Sequence, residues 1–487
     1  MYIAKTRNKV LAIIGLAVVF ALSVSIFFTC AGSESVAEAY ESYFSEDADK
    51  WEEGAFTEYS TGIYWYASGN PIPRRDNPVD KSKPTLIFAH GWKQNEGYKE
   101  RDLLSLWHGT NNQFAKAGFG SFEFDDAYYQ TLIDLGYNVG HFYWNQLSDD
   151  ALNCDEKIWS STGQVGMGYV VNNGSGKRVQ GDASKNPTKS VAVIFGDAIK
   201  QALGSDYAQD LHLVGHSMGG QLVLATGEYL SVQQEEGTVS EHLVPSQVTL
   251  IDTYMTFNAL SQGATVDHLH AKSYPEREKV WIVGLCADAM ESLARHNVAI
   301  DSYGTVFYRM YPMTLGEEES KVITERLARY CAWTYLKGLT GKYTLENGHC
   351  MAIDYYFSTL YEETISKDNF GVEVPSAKAS KEYILSLRGK AFTQSLAVEK
   401  ANPFYMHNSA YTRTNADYEE VGEDYTAYIE PPKGAPETPD GEPSGNKTRD
   451  IVSSTGFIVG MSVGGAIIVA GIVGIIVIVL KNKKAKQ

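Results

Sequence analysis

The sequence predicts an α/β protein, a mostly parallel central sheet with helices on both faces, and three observations carry that prediction. Short apolar, strand-like runs at 86–89, 138–143, 211–214, 248–251 and 280–283 alternate with helical stretches such as 127–135 and 190–203, closed by Gly136 and Gly204. The stretch Gly215-His216-Ser217-Met218-Gly219 joins a buried-type strand to an apolar-faced helix with no residues left for a relaxed loop. The chain has 487 residues, 44% of them apolar, enough for at least one large core.

The ends of the chain read differently from its middle. Lys5, Arg7 and Lys9 precede a charge-free apolar run at 10–28, then Thr29-Cys30-Ala31-Gly32, the layout of a secretory signal over 1–32 cleaved before Ser33. A run this long can also stay uncleaved as an anchor. Phe27-Phe28-Thr29 departs from the small residues that normally precede a lipidated cysteine, which weighs against Cys30 as an attachment point. After the globular region, 33–412, an acidic and then Pro/Gly-rich segment without helical or strand period reads as a stalk over 413–455. The apolar run at 456–480 is long enough to cross a bilayer, and Lys481, Lys483, Lys484 and Lys486 make 481–487 a basic cytoplasmic tail. The expected location is therefore the cell surface, a single-pass membrane protein held in its own membrane by the C-terminal helix. Gly456, Gly460 and Gly464, and Ala466, Ala470 and Gly474, recur every fourth residue, so one helix face suits a transmembrane dimer or small residues tolerated in lipid.

A formal net charge of −17 argues against nucleic acid as a partner and against adhesion to an anionic membrane surface. Asn173-Gly174-Ser175 and Asn446-Lys447-Thr448 match the glycosylation acceptor pattern. Of the five cysteines, Cys154, Cys286, Cys331 and Cys350 remain if the signal is removed, allowing two bridges, with Cys331–Cys350 the expected pair for one. No paired-cysteine metal spacing, HExxH or phosphate-binding glycine loop occurs, so no metal and no cofactor is expected. The run "GIYWYAS" adds an early antiparallel strand, and the Gly/Asn/Ser-rich segment at 152–187 reads as a mobile cover or a surface insertion.

The tight turn at Ser217 forces a strained backbone and pushes the hydroxyl out above the sheet, with glycines two before and two after removing side chains that would clash. This context resembles the nucleophile elbow of the α/β-hydrolase superfamily, and "GHSMGG" resembles its lipase and esterase members. The resemblance covers roughly 58–396. It implies an α/β-hydrolase fold and a serine nucleophile that needs a histidine base, a carboxylate to orient it and two oxyanion donors, in the chain order serine, acid, histidine. One donor is the amide of Met218. The other is the amide of Trp92, after the strand in "PTLIFAHGW", where His-Gly resembles the oxyanion motif of many lipases and His90 itself is read as structural.

His349 stands in "LENGHCMAIDYYFSTLYE", at a loop-to-helix junction that resembles the histidine region of pancreatic-type lipases. His242 precedes the candidate acids, whereas His268, His270, His296 and His407 read as solvated or capping. Asp252 ends the strand in "QVTLIDTYM", which looks like the acid loop of the same lipases. Asp288 is the rival, placed after "KVWIVGLCA" where many α/β-hydrolases carry the acid one strand later; as the start of "DAMESLARH" it also suits a helix first turn. Asp301 is read as facing solvent. The expectation is a surface-anchored serine hydrolase acting on carboxylic esters, lipid or acyl-glycerol esters above all, through Ser217, His349 and Asp252. The alternatives are a non-catalytic hydrolase-like adhesion module, or a peptidase or acyltransferase on the same fold.

Overall fold

The central strands are β3 (Thr85–Ala89), β4 (Asn138–Tyr143), β7 (Leu211–His216), β8 (Gln247–Ile251), β9 (Ala299–Gly304), β10 (Ala332–Leu336) and β11 (Ala391–Gln394), parallel throughout. Antiparallel strands close the two edges: β1 (Gly62–Ala67) with β2 (Asn70–Arg74) beyond β4, and β12 (Tyr411–Arg413) beyond β11. Among the described residues, these ten strands form one sheet in the order β12-β11-β10-β9-β8-β7-β3-β4-β1-β2.

The computed structural model describes residues 56–93, 128–149, 154–173, 178–255, 258–267, 280, 282–305, 329–336, 349, 352–353, 355–357, 359–360, 373–394 and 411–413. The chain divides into two compact units, Met1–Glu437 and Thr438–Gln487, and every described residue belongs to the first. The signal segment, the stalk beyond Arg413, the apolar run at 456–480, 174–175 of the first glycosylation pattern and the whole of the second lie outside the described residues, as does Cys350. Among the described residues no helix is long and apolar enough to cross a membrane.

Both faces of the parallel strands are covered, which is why they are apolar on alternate residues in both directions. On one face Ile87, Leu213, Val248, Leu250 and Ile300 pack under helices α4 (Val191–Leu203), α5 (Met218–Glu235) and α6 (Ile282–Arg295). On the other, Leu86, Phe88, Val214, Ile251 and Tyr303 pack under α1 (Tyr128–Asp134) and the aromatic segment Tyr355, Tyr356 and Phe357. The helices follow their local signals. α4 starts after Ser190, in extended conformation, and stops at Gly204, whose φ of 74° suits a residue without Cβ. α1 likewise ends before Gly136 at φ 94°.

Two sequence readings need correction. Of the run at 280–283, read as a strand, Ile282 and Val283 open α6 instead. Ile282, Leu285, Cys286, Ala289, Met290 and Leu293 are buried along it, so the apolar period is helical once the window extends beyond "VWIV". β9 therefore lies directly beside β8. Asp301, read as facing solvent, is fully buried in β9, because strand alternation here carries residues to two covered faces.

The segment read as a mobile cover or surface insertion divides in its described part: 154–160 and 169–171 are buried, whereas 162–164, 178–180 and 182–185 are exposed. α2 (Asn145–Ser148) leads to α3 (Cys154–Trp159), all six residues of which are buried, and to the hairpin β5 (Val170–Asn172) and β6 (Arg178–Gln180). Charged side chains do the anchoring. Glu156 accepts from the Ser261 amide at 2.6 Å and its hydroxyl at 2.7 Å, Lys157 donates to the Gly168 carbonyl at 2.6 Å, and Asp155 accepts from Asn258 at 2.8 Å. Buried charges persist only when hydrogen-bonded in this way. No disulfide joins Cys154, Cys286 and Cys331 to one another; all three are buried.

Candidate active site

Chain order in the sheet selects one crevice. From β3 the chain moves outward to β4, then returns across β3 to β7 and continues to β8 and β9. The direction of travel thus reverses between β3 and β7, and in open parallel sheets the gap beyond the carboxyl ends of such a strand pair is where ligands bind. Gly91 follows β3 and Ser217 follows β7. A Cβ added at Gly91 would lie 2.7 Å from Ser217 Cβ and 3.1 Å from Ser217 Oγ, so the two turns touch at the serine hydroxyl.

Ser217 has φ 58° and ψ −124°, a region that L-residues avoid and that costs about 1–3 kcal/mol. Backbone hydrogen bonds hold it there: the Ser217 amide donates to the Ile251 carbonyl at 3.0 Å, and the Ser217 carbonyl accepts from Gly220 at 3.1 Å and Tyr254 at 3.2 Å. The flanking glycines are required by close approach. A side chain on Gly215 would meet the Gly219 backbone, and one on Gly219 would meet the Ala89 carbonyl.

Asp252, immediately after β8, also has a left-handed backbone, φ 38°, and is fully buried. Its amide donates to the Tyr303 carbonyl at 2.6 Å, fastening the turn to β9. Its carboxylate accepts at Oδ1 from the Thr305 amide at 2.6 Å, and at Oδ2 from the Thr305 hydroxyl at 2.6 Å and from His349 Nδ1 at 2.7 Å. A carboxylate only accepts, so Nδ1 of His349 bears the proton and the neutral ring has its lone pair on Nε2, the nitrogen that can take a proton from a hydroxyl.

His349 is 2% exposed and lies in helical backbone. The structure thus joins His349 to Asp252 and sets it against His216, the residue that precedes Ser217. Asp288, the rival acid, lies within α6 instead of following a strand, whereas the carboxylate bonded to His349 is that of Asp252. His242 is exposed beside Glu241, and His296 Nε2 lies 2.8 Å from Glu235; His268, His270 and His407 lie outside the described residues.

Of the two expected oxyanion donors, Met218 follows the serine directly, and Trp92 follows Gly91, whose added Cβ would touch Ser217. Met218 is the first residue of α5, so its amide belongs to the set of N-terminal N–H groups with no intrahelical acceptor, at the positive end of the helix dipole. Its sulfur lies 3.1 Å from Cys154 Sγ, which ties the residue to the buried part of the insertion. Trp92 is half-buried and packs against the same core as Met218. The loop before it is shaped by His90, which is 1% exposed. Trp144 donates its amide to His90 Nε2 at 3.2 Å and its indole N–H to the His90 carbonyl at 2.7 Å. With Nε2 accepting, Nδ1 carries the proton and donates to the Gly91 carbonyl at 2.7 Å. A trans peptide points its N–H opposite to its C=O, so this bond turns the Trp92 amide away from His90.

Sequence reasoning missed Thr305, the double donor to Asp252. The available signal was its place just beyond "NVAIDSYG", the strand that neighbours β8, and assigning a strand to 280–283 concealed that adjacency. A second polar group lies lower on the same sheet face. Asp301 Oδ1 accepts from Thr249 at 2.7 Å and Gln247 at 3.3 Å, and His212 Nε2 lies 2.8 Å from the Thr249 hydroxyl. Burial pushes Asp301 up to about 6 and His212 down to about 3. Among the described residues no group of three or more His, Cys, Asp or Glu is placed to hold a metal ion.

No protein-family model matches the sequence, and no curated protein matches it. Among solved structures it is similar to Est1E from Butyrivibrio proteoclasticus with ferulic acid bound, at 12% identity and a TM-score of 0.27, over 62% of this chain and 96% of that one. It is also similar to the thioesterase domain from the curacin biosynthetic pathway, at 14% identity and a TM-score of 0.27, over 62% of this chain and all (100%) of that one.

Proposed function

We propose that the chain is a serine hydrolase of the α/β-hydrolase type that cleaves carboxylic esters, lipid or acyl-glycerol esters foremost, at the cell surface. The observation that carries the reading is the 2.7 Å bond from His349 Nδ1 to a buried carboxylate, beside a serine held at φ 58° on a strand-to-helix turn. In this reading His349 Nε2 takes the Ser217 proton as Oγ attacks the ester carbonyl. The tetrahedral oxyanion is met by the Met218 and Trp92 amides, and the proton passes from His349 to the leaving alkoxide as the C–O bond breaks. Water, activated by the same imidazole, then frees the acid and restores the serine. Asp252 keeps the ring in the working tautomer and stabilises its cationic form.

The acyl preference rests on the resemblance of "GHSMGG" and the acid and histidine stretches to lipases, and surface display rests on the apolar run at 456–480. The test is covalent labelling with a fluorophosphonate. Ser217 should be labelled in the wild type and labelling should vanish in Ser217→Ala. Equal labelling of Ser217→Ala would place the nucleophile elsewhere. An unlabelled wild type, with detergent present, would favour a non-catalytic binding module.

A further inference from the structure

The residue before the serine makes contacts that the reaction scheme leaves unused. The His216 ring lies 4.3 Å from the His349 ring, centroid to centroid, inclined by 35°. Its Nε2 lies 3.1 Å from the His349 carbonyl oxygen, across 133 residues of sequence. A carbonyl only accepts, so His216 Nε2 bears a proton and donates it. Both residues are buried, at 8% and 2% exposure, so water competes little for this bond.

The bond from His349 Nδ1 to Asp252 fixes a distance but leaves the imidazole able to swing about that oxygen. His216 removes this freedom twice over: its ring packs against the ring of His349, and its N–H fastens the backbone from which that ring projects. Because His216 is joined covalently to Ser217, any shift of the His349 segment relative to the nucleophile must stretch this one hydrogen bond. We propose that His216 is a positioning residue that sets the register of His349 against Ser217, its N–H donation to the His349 carbonyl being the decisive contact. The inference deepens the serine hydrolase reading and rests on it.

Glutamine and methionine have nearly the same shape, and glutamine alone carries an N–H at the required reach. Full-length His216→Met and His216→Gln are therefore compared in detergent for kcat and KM on a short-chain p-nitrophenyl ester, and for the rate of fluorophosphonate labelling of Ser217. The low-field proton resonance of the bond between His349 and Asp252 is recorded alongside. His216→Met should lose kcat and labelling rate by about 100-fold, the cost of a misplacement of roughly 1 Å, with KM unchanged and the resonance broadened. His216→Gln should recover most of both rates and a sharp resonance. If His216→Met does not fold, as judged by its melting temperature, His216→Phe takes its place, keeping the ring and lacking the donor. A labelled wild type with the apolar variant and His216→Gln equally active, or equally impaired, overturns the role of His216 alone. A wild type that is not labelled at all overturns the hydrolase reading and this inference with it.

Discussion

Replacing Asp252 by asparagine exchanges one oxygen for an NH2 group, and the hydrogen bonds around the side chain decide where that group must sit. The Thr305 amide can only donate, so the asparagine amide oxygen turns toward it at the Oδ1 position and the NH2 group falls where Oδ2 accepts from Thr305 Oγ1 and His349 Nδ1. The opposite orientation would set NH2 against a buried backbone N–H, at about 1–3 kcal/mol. The Thr305 hydroxyl can rotate and accept, but His349 can accept only by moving its proton to Nε2, which then cannot deprotonate Ser217. The loss of the working tautomer and of the carboxylate's charge beside the imidazolium should lower kcat about 10⁴-fold, or about 5 kcal/mol of barrier. KM should change little, because the carboxylate acts in the transition state. The assay is steady-state ester hydrolysis, with the melting temperature as a folding control and Asp288→Asn, from the interior of α6, as the comparison. Full activity in Asp252→Asn with a crippled Asp288→Asn would refute the reasoning.

Gly91→Ala should abolish hydrolysis while leaving the protein folded, because its Cβ would fall 2.7 Å from Ser217 Cβ; normal turnover would mean that the two loops part more readily than their close contact implies. Asp301→Asn should stabilise the protein at high pH. Burial raises the folded-state pKa from 3.8 to about 6, so the native state holds the extra proton between those values and stability falls as pH rises through that window, by about 3 kcal/mol in all. The gain in melting temperature should be small at pH 4.5 and large at pH 8, and an equal gain at both would remove this account. Truncation after Asp450 should release a soluble, active protein; retention in the membrane would instead point to the N-terminal apolar run as an anchor.

The elbow was legible because its chemistry is local: two glycines, a serine and the switch of period from strand to helix lie within a few residues of one another. The parallel strands with long apolar runs were legible for the same reason. The run at 280–283 misled because four β-branched or aromatic residues read alike in a buried strand and a buried helix turn, and only the continuation through Cys286, Met290 and Leu293 separates them. That error hid the adjacency of β8 and β9, and with it Thr305. The seating of Glu156 and Lys157 depends on partners 105 and 11 residues away, which no local window reports. His216 belongs to the elbow itself, but its hold on His349 spans 133 residues.

The amides of Ser217, Asp252 and Tyr254 all bond to backbone carbonyls, those of Ile251, Tyr303 and Ser217. The strand ends carrying Ser217 and Asp252 are thus laced to each other and to β9 through main chain, which every sequence shares. Side chains around the crevice can consequently be exchanged without disturbing those bonds. In a lineage of such proteins the crevice lining can drift residue by residue, while the two turns themselves give way only when one of the close-packed glycines, Gly91, Gly215 or Gly219, is lost.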